Sequence, residues 1–432
     1  MPPAQLLQEL IRFRTVNPPG NEAPCQDHLR ALFEARGVPA RLLCSSPGRP
    51  NLVVRVPGRG EAPPLLLQGH VDVVTVAGQR WARDPFGGEL IDGWVWGRGA
   101  LDMKGGLAMM VSALLRCLDQ GRPPAGDVVL CCLADEEAGG VHGAQFLVQC
   151  HPGLFEGIRH GLGEGGGATL TVEGRRFYPI MVAEKRICRL RMVVRGPGGH
   201  ASQTHRDGVT ARLGRLLLAL DRGRLPIRVT PPAAEYVRGI ALAVSEPARS
   251  RLLALLDPVR GEGAMDEMGP EALRFDPILR NTVNATIVRA GEKVNVIPSE
   301  ATIELDGRMV PGCECEQFLD ELRQLVGPEP EIEVVSLGPP PLESERGPFY
   351  DLLGQVLREL EPAAIPVPLL MAGATDQRHF SRLGIQGYGY LPLQLPAGFG
   401  QETVHAADER VPVAALDFGA EALFRVLQRY RG

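Results

Sequence analysis

The chain has 432 residues, 44% hydrophobic and 22% charged, an ordinary globular mixture and long enough for two cores. Its formal net charge is −5 with no basic run or tail, which argues against a nucleic-acid partner, and no apolar stretch approaches the roughly 18 residues of a membrane helix. Nine scattered cysteines without a CxxC pair, and an N-terminus without a secretory pattern, point to buried thiols in a reducing cytoplasm.

Along the chain, "MPPAQLLQELIRFRTVNPPGNE" predicts an amphipathic helix running into a turn. "NLVVRV" (51–56), "PLLLQGHVDVV" (64–74) and "DVVLCCLADEE" (127–137) read as largely buried strands. Between them, "LAMMVSALLRCLDQG" (107–121) carries apolar residues at the spacing of one helix face and ends on Gly121. Strands alternating with helices predict an α/β sheet domain. Near residue 187 the pattern changes. "ICRLRMVVRG" alternates arginine with apolar residues, as a sheet wetted on one face does, and 282–310 predicts two further such strands joined by a turn. "VTARLGRLLLALDRG" (209–223) suits a helix lying across that sheet. After "GPPPLESERGP" (338–348) helical patterns return, ending in "VAALDFGAEALFRVLQRY". The expected organisation is one α/β domain with a mixed central sheet flanked by helices, residues 1–186 and 338–432, interrupted by an inserted α+β module, 187–337.

His70 and Asp72 sit two apart in an apolar run, where a strand would place both on one face. A carboxylate there can fix the tautomer of the imidazole and leave its other nitrogen free for a metal. Other candidates lie at comparable positions: Asp102 in "GRGALDMKGG", Glu136 and Glu137 at the end of a strand, Glu164 in the glycine-rich "GLGEGGG", and His405 in "QETVHAADER". Singly, each has an ordinary reading, such as helix cap, solvated turn or surface histidine. Together they fall where open α/β sheets bind ligands, beyond the carboxyl ends of the strands. Two histidines and three carboxylates, one able to bridge, give three ligands to each of two divalent ions, with a further acid left to move protons. Imidazole mixed with carboxylate suits zinc, with cobalt or manganese as alternatives. A glycine-rich loop lets the backbone approach a ligand closely.

These motifs, with "LIRFRTVNPPGNE", "GPGGHAS", "VNVIPSEATIELDGRMVPG" and "GATDQRHF", occur in an order that resembles the M20 family of metallohydrolases over nearly the whole chain. The resemblance implies that His70 and Glu164 bind one metal, Glu137 and His405 the other, and that Asp102 bridges them. It implies Asp72 as the residue orienting His70, Glu136 as general base, and a cis peptide after Asp102. In the inserted module, which would act as lid and dimerisation domain, it implies that His200 stabilises the oxyanion and Arg308 pairs with a substrate carboxylate. Gly373 and Thr375 are implied at the carboxylate end of the substrate, with Asn284 as a lid contact. Arg186 stands where members often carry glycine, close to the expected hinge.

The implied activity is hydrolysis of an amide next to a free carboxylate, through a metal-bridging water and Glu136. The substrate is an N-acyl amino acid or a short peptide, and deacylase and carboxypeptidase or dipeptidase remain open. A non-catalytic relative that binds an amino-acid-like ligand is the alternative, although such a protein needs no base. A homodimer formed through the lid is expected.

Overall fold

The structure, a computed structural model, describes residues 1–400 and 403–432. Gln401 and Glu402, the first two residues of "QETVHAADER", lie outside the described residues. The chain divides into two compact units. Met1–Ala183, Leu342–Leu369 and Thr375–Gly432 form the first, and Glu184–Pro341 with Leu370–Ala374 form the second.

In the first unit, nine strands pair into a mixed sheet among the described residues. Val128–Leu133, Leu65–His70, His160–Gly163 and Gln386–Gly389 are neighbours in that order and run parallel. Antiparallel strands flank them, with Pro50–Val56 and then Ala40–Cys44 on one side and Arg175–Glu184 on the other. The apolar runs of the sequence are explained by two covered faces. Leu65, Leu67, Val128, Leu130 and Cys132 join one buried cluster with the helices Pro3–Ile11, Lys104–Asp119, Pro348–Leu360 and Val413–Arg429. The alternate residues Leu66, Val129, Cys131 and Leu133 join a second cluster with Leu147, Val148 and Phe380. The α/β architecture is thus built from strand residues that alternate between two cores.

Two predicted strands end earlier than their apolar runs. The strand through 64–74 stops at His70, after which Val73 bridges Val16, so Asp72 lies beyond it. Glu136 and Glu137 do not end a strand but form a 3-10 turn, Glu136–Ala138. The reason is Asp135, whose φ of 71° turns the chain out of the sheet after Leu133.

The second unit is an antiparallel four-stranded sheet ordered Thr282–Ala290, Glu300–Met309, Arg186–Arg195, Glu331–Leu337. Period-two burial holds in its inner strands: Cys188, Leu190, Met192 and Val194 are buried, as are Ala301, Ile303 and Leu305. The helix Val209–Arg222 packs on this sheet and on the helix Cys315–Val326. The latter opens with a capping box between Glu314 and Gln317. Thr282–Ala290 departs from the expected half-wet pattern and is exposed over most of its length, because it is an edge strand. The patterning assigns no element to 231–279. These residues form short helices, Pro231–Ala241, Ala248–Ala254, Gly261–Met268 and Asp276–Leu279, interrupted by proline and glycine. Leu370–Ala374 groups with this unit, where Lys185 N–H donates to Met371 O at 3.1 Å and Gly373 O at 3.2 Å. Among the described residues no helix is long and apolar enough to cross a membrane.

Candidate metal centre

The carboxyl ends of the parallel strands deliver the polar side chains. His70 is the last residue of its strand, the Glu136–Glu137 turn follows Leu133 by a few residues, and Glu164 follows Gly163. Asp102 precedes the helix Lys104–Asp119, and the Asp102–Met103 peptide is cis, as the resemblance implies. His405 comes from the loop before the last helix, with φ 63°.

Asp102 turns one carboxylate oxygen toward each imidazole. Its Oδ1 lies 3.1 Å from His70 Nε2, and its Oδ2 lies 3.1 Å from His405 Nε2. Glu164 Oε2 is 3.5 Å from His70 Nε2, and Glu137 Oε1 is 3.2 Å from His405 Nε2. Ligand atoms of His70, Asp102 and Glu137 lie within 4.8 Å of one another, as do those of His70, Glu136 and Glu164. Glu136 thus also lies within 4.8 Å of His70 and Glu164, close enough to be counted with the predicted ligands.

Asp72 acts on His70 differently from the expected carboxylate clamp. His70 Nδ1 lies 2.9 Å from the backbone carbonyl of Asp72 and 3.5 Å from its carboxylate Oδ1. The carboxylate is committed elsewhere, accepting Glu136 N–H at 3.2 Å, Glu137 N–H at 3.1 Å and the Asn17 amide at 2.8 Å. Because the chain leaves the strand after His70, the Asp72 carbonyl comes closer to the imidazole than its carboxylate does.

The electrostatics describe a cation site. Burial alone would push the His70 imidazole down, yet Glu164, Asp102 and Asp72 outweigh it and hold the ring well above its usual pKa. Hydrogen bonds to Asp102 and Glu137 push His405 up to about 10. Burial opposes ionisation of Asp102, but hydrogen bonds with His405 and His70 prevail and hold it well below the usual carboxylate range. Burial, reinforced by the charge of Glu164, pushes Glu136 well above it. Four carboxylates thus crowd two imidazoles, and Arg378 supplies a cation beside them, its Nη1 3.5 Å from Glu136 Oε1. Imidazoles and carboxylates carrying this excess of negative charge fit divalent ions.

Several residues outside the predicted set hold this arrangement. Glu409, fully buried, accepts Leu101 N–H at 2.7 Å and Asp102 N–H at 3.1 Å on Oε1. Its Oε2 accepts Arg98 Nη1 at 2.6 Å and Gly99 N–H at 3.1 Å, while Arg98 Nη2 donates to the His405 carbonyl at 3.1 Å. Asp376 is buried, neither of its oxygens has a hydrogen-bond partner among the described residues, and burial pushes it up to about 7. Glu409 lies in "HAADER" and Asp376 in "GATDQRHF", so both were visible in motifs without any sign of their partners.

The glycines after Glu164 serve the protein backbone rather than a ligand. A Cβ on Gly166 would stand 2.5 Å from Gly389 O, and one on Gly167, at φ +96°, 2.5 Å from the Leu391 backbone. The close approach that glycine permits is to the neighbouring strand and the residues after it.

Thr375 belongs to the first unit, is buried, and its hydroxyl accepts Gln377 N–H at 3.1 Å. The other predicted residues lie in the second unit. His200 is exposed on a two-residue strand, its Nδ1 2.7 Å from Ser202 Oγ. Arg308 forms a two-pronged pair with Asp306, at 2.6 and 3.1 Å. Asn284 is exposed and lies opposite Asp306 in the sheet. Gly373 accepts Lys185 N–H, as described above.

Comparison with known proteins finds relatives along most of the chain. The chain is 28% identical over 366 residues to a probable carboxypeptidase S-like 2 from Dictyostelium discoideum, covering 81% of this chain and 68% of that protein. It is 28% identical over 438 residues to a succinyl-diaminopimelate desuccinylase from Paracoccus denitrificans, covering 99% and 98%. The crystal structure of an M20 family metallo-carboxypeptidase from Sulfolobus solfataricus superimposes with a TM-score of 0.72 at 20% identity, covering 98% of each chain. The profile of Peptidase family M20/M25/M40 matches residues 66–429, and the chain belongs to that family.

Proposed function

We propose that the protein is a metal-dependent hydrolase of an amide bond next to a free carboxylate, with an N-acyl amino acid or a short peptide as substrate. The observation that carries this reading is Asp102, with one oxygen on each of two histidines and a partly buried glutamate, Glu136, alongside. His70, Asp102 and Glu164 would hold one divalent ion, and Glu137, Asp102 and His405 the other, with zinc as the first choice and cobalt or manganese as alternatives. Bound there, such ions acidify water and polarise a carbonyl.

The remaining work falls to the chain. Glu136 takes a proton from the attacking water and returns it to the leaving amine, and its raised pKa suits both transfers. Asp72 fixes the two backbone N–H groups of the Glu136–Glu137 turn. His200 stabilises the developing oxyanion, and Arg308 takes the substrate carboxylate in exchange for part of its pairing with Asp306. Gly373 and Asn284 supply further substrate contacts, and Thr375 shapes the adjoining turn through its bond to Gln377. In this reading the inserted unit acts as the lid.

The relatives support an acyl-amino-acid or peptide substrate, since one is named a desuccinylase and another a carboxypeptidase. A homodimer through the inserted unit is supported by the edge strand Thr282–Ala290, which exposes Ile287 and Val288. A cytoplasmic location is supported by nine free cysteines. The test is hydrolysis of a panel of N-acyl amino acids and dipeptides by protein loaded with zinc, cobalt or manganese, with Glu136→Ala as control. Cleavage abolished in the control supports the mechanism, and the preferred half of the panel chooses between deacylase and peptidase. No cleavage anywhere on the panel by metal-loaded protein counts against it.

A further inference from the structure

The segment "TVNPPGNE" has no place in the chemistry described so far, yet the structure ties it to the turn that carries Glu136 and Glu137. Its backbone is fixed against the residues after His70: Asn17 N–H donates to Val73 O at 2.9 Å, and Val73 N–H to Thr15 O at 3.0 Å. This brings the Asn17 amide between two carboxylates. One of its hydrogens goes to Asp72 Oδ2 at 2.8 Å and the other to Asp135 Oδ1 at 3.1 Å. Two acceptors that are both carboxylates fix which end of the amide is nitrogen. Asn17 is 4% exposed, Asp72 is fully buried and Asp135 is 3% exposed, so water offers little alternative.

Asp135 is the residue at φ 71° that starts the turn. Its Oδ1 also accepts Arg49 Nη1 at 2.9 Å, and its Oδ2 accepts His142 N–H at 3.0 Å. Arg49 Nη2 in turn donates to the fully buried Glu22 at 2.6 Å. Gly20 leaves room for this: at φ +80°, its Cβ would lie 2.4 Å from Arg49 Nε. Two residues of the same motif, Gly20 and Glu22, thus place the guanidinium, and a third, Asn17, meets the carboxylate it holds.

We propose that Asn17 is a positioning residue for the reaction. It joins Asp72, which holds the N–H groups of Glu136 and Glu137, to Asp135, which sets the direction of the turn. Neutral and carrying two donors, it bridges the two buried carboxylates without adding a charge of its own between them. Through them it fixes where the Glu137 and Glu136 carboxylates stand relative to His70. The activity part of this inference rests on the hydrolase reading above, whereas the metal-binding part does not.

The test compares wild type, Asn17→Ala and the double variant Glu22→Gln/Arg49→Met, which removes the buried pair together. Metal-free proteins are melted and then titrated calorimetrically with zinc chloride, and kinetics are run on whichever substrate the wild type cleaves. A positioning role predicts melting within a few degrees of wild type, zinc affinity weakened about 10–100-fold, and kcat lowered with KM nearly unchanged. The double variant should shift the same way. Zinc affinity and kcat at wild-type values in folded Asn17→Ala overturn the proposal. So does failure of both variants to fold, which would assign the motif a purely structural role. A wild type that binds zinc but cleaves nothing counts against the hydrolase reading and leaves the affinity comparison decisive for Asn17.

Discussion

Glu409 accepts the backbone N–H of Asp102 at 3.1 Å, so the acid that faces both histidines is itself held by a second, fully buried acid. Arg98 neutralises Glu409 and reaches the His405 carbonyl, linking the loops of two candidate ligands through one ion pair. Removing one partner strands the other. Glu409→Ala leaves Arg98, 1% exposed, as an uncompensated charge and should cost about 3–5 kcal/mol of stability. The milder Glu409→Gln should fold but bind metal about 10–100-fold more weakly. Denaturant unfolding and zinc titration measure the two effects separately.

Glu136→Gln keeps size and polarity while removing the base. Turnover should fall by about 10²–10⁴-fold, with the number of bound ions unchanged. Metal content by elemental analysis, set beside kcat, checks this. A loss of metal equal to the loss of activity would instead make Glu136 a ligand, a possibility raised by its closeness to His70 and Glu164.

His405 makes the stability of the metal-free protein depend on pH. Its folded value is pushed up to about 10 by Asp102 and Glu137, against roughly 6.5 when unfolded. A proton bound more tightly in the folded state stabilises fully below the unfolded value, and that stability is lost as pH rises through the folded one. With a chelator present, this contribution to the melting temperature should therefore decline between about pH 6.5 and about 10. Zinc-loaded protein should lack this decline, because its ring nitrogen is no longer open to protons. Parallel melting curves across that range provide the comparison.

Gly166→Ala tests the packing reading of the glycine-rich loop. The added methyl would meet Gly389 O at 2.5 Å and Met181 N at 2.7 Å, so backbone must move. A loss of about 1–3 kcal/mol is expected in chemical denaturation. An unchanged midpoint accompanied by altered substrate affinity would return these glycines to ligand binding.

The polar side chains that converge in the first unit all sit in motifs readable along the sequence, because strand ends and helix starts are marked by abrupt changes from apolar runs to His, Asp, Glu and Gly. The α/β class was legible for a related reason: buried parallel strands leave near-continuous apolar runs. What holds the converging groups was not legible. Asp72 meets Asn17, and Glu409 meets Arg98 and Asp102, across separations that no local pattern encodes. Asp135 looked like one more acid in "ADEE", yet its backbone is left-handed and its carboxylate meets partners at 17, 49 and 142. Most of the helices between 231 and 279 were hidden because three of the four, at 7, 8 and 4 residues, are too short to show a sustained period. The Asp306–Arg308 pair was within reach, since residues two apart on a strand share a face.

The order of the candidate ligands along the chain has a consequence for biosynthesis. His70, Asp102, Glu137 and Glu164 precede the second unit, while His405 and its support Glu409 follow it. During translation the segments that carry His70, Asp102, Glu136, Glu137 and Glu164 are made well before the second histidine exists. The cluster therefore cannot be completed until the segment around residue 405 has been made. On the two-ion reading proposed above, full occupancy would be tied to completion of nearly the whole polypeptide.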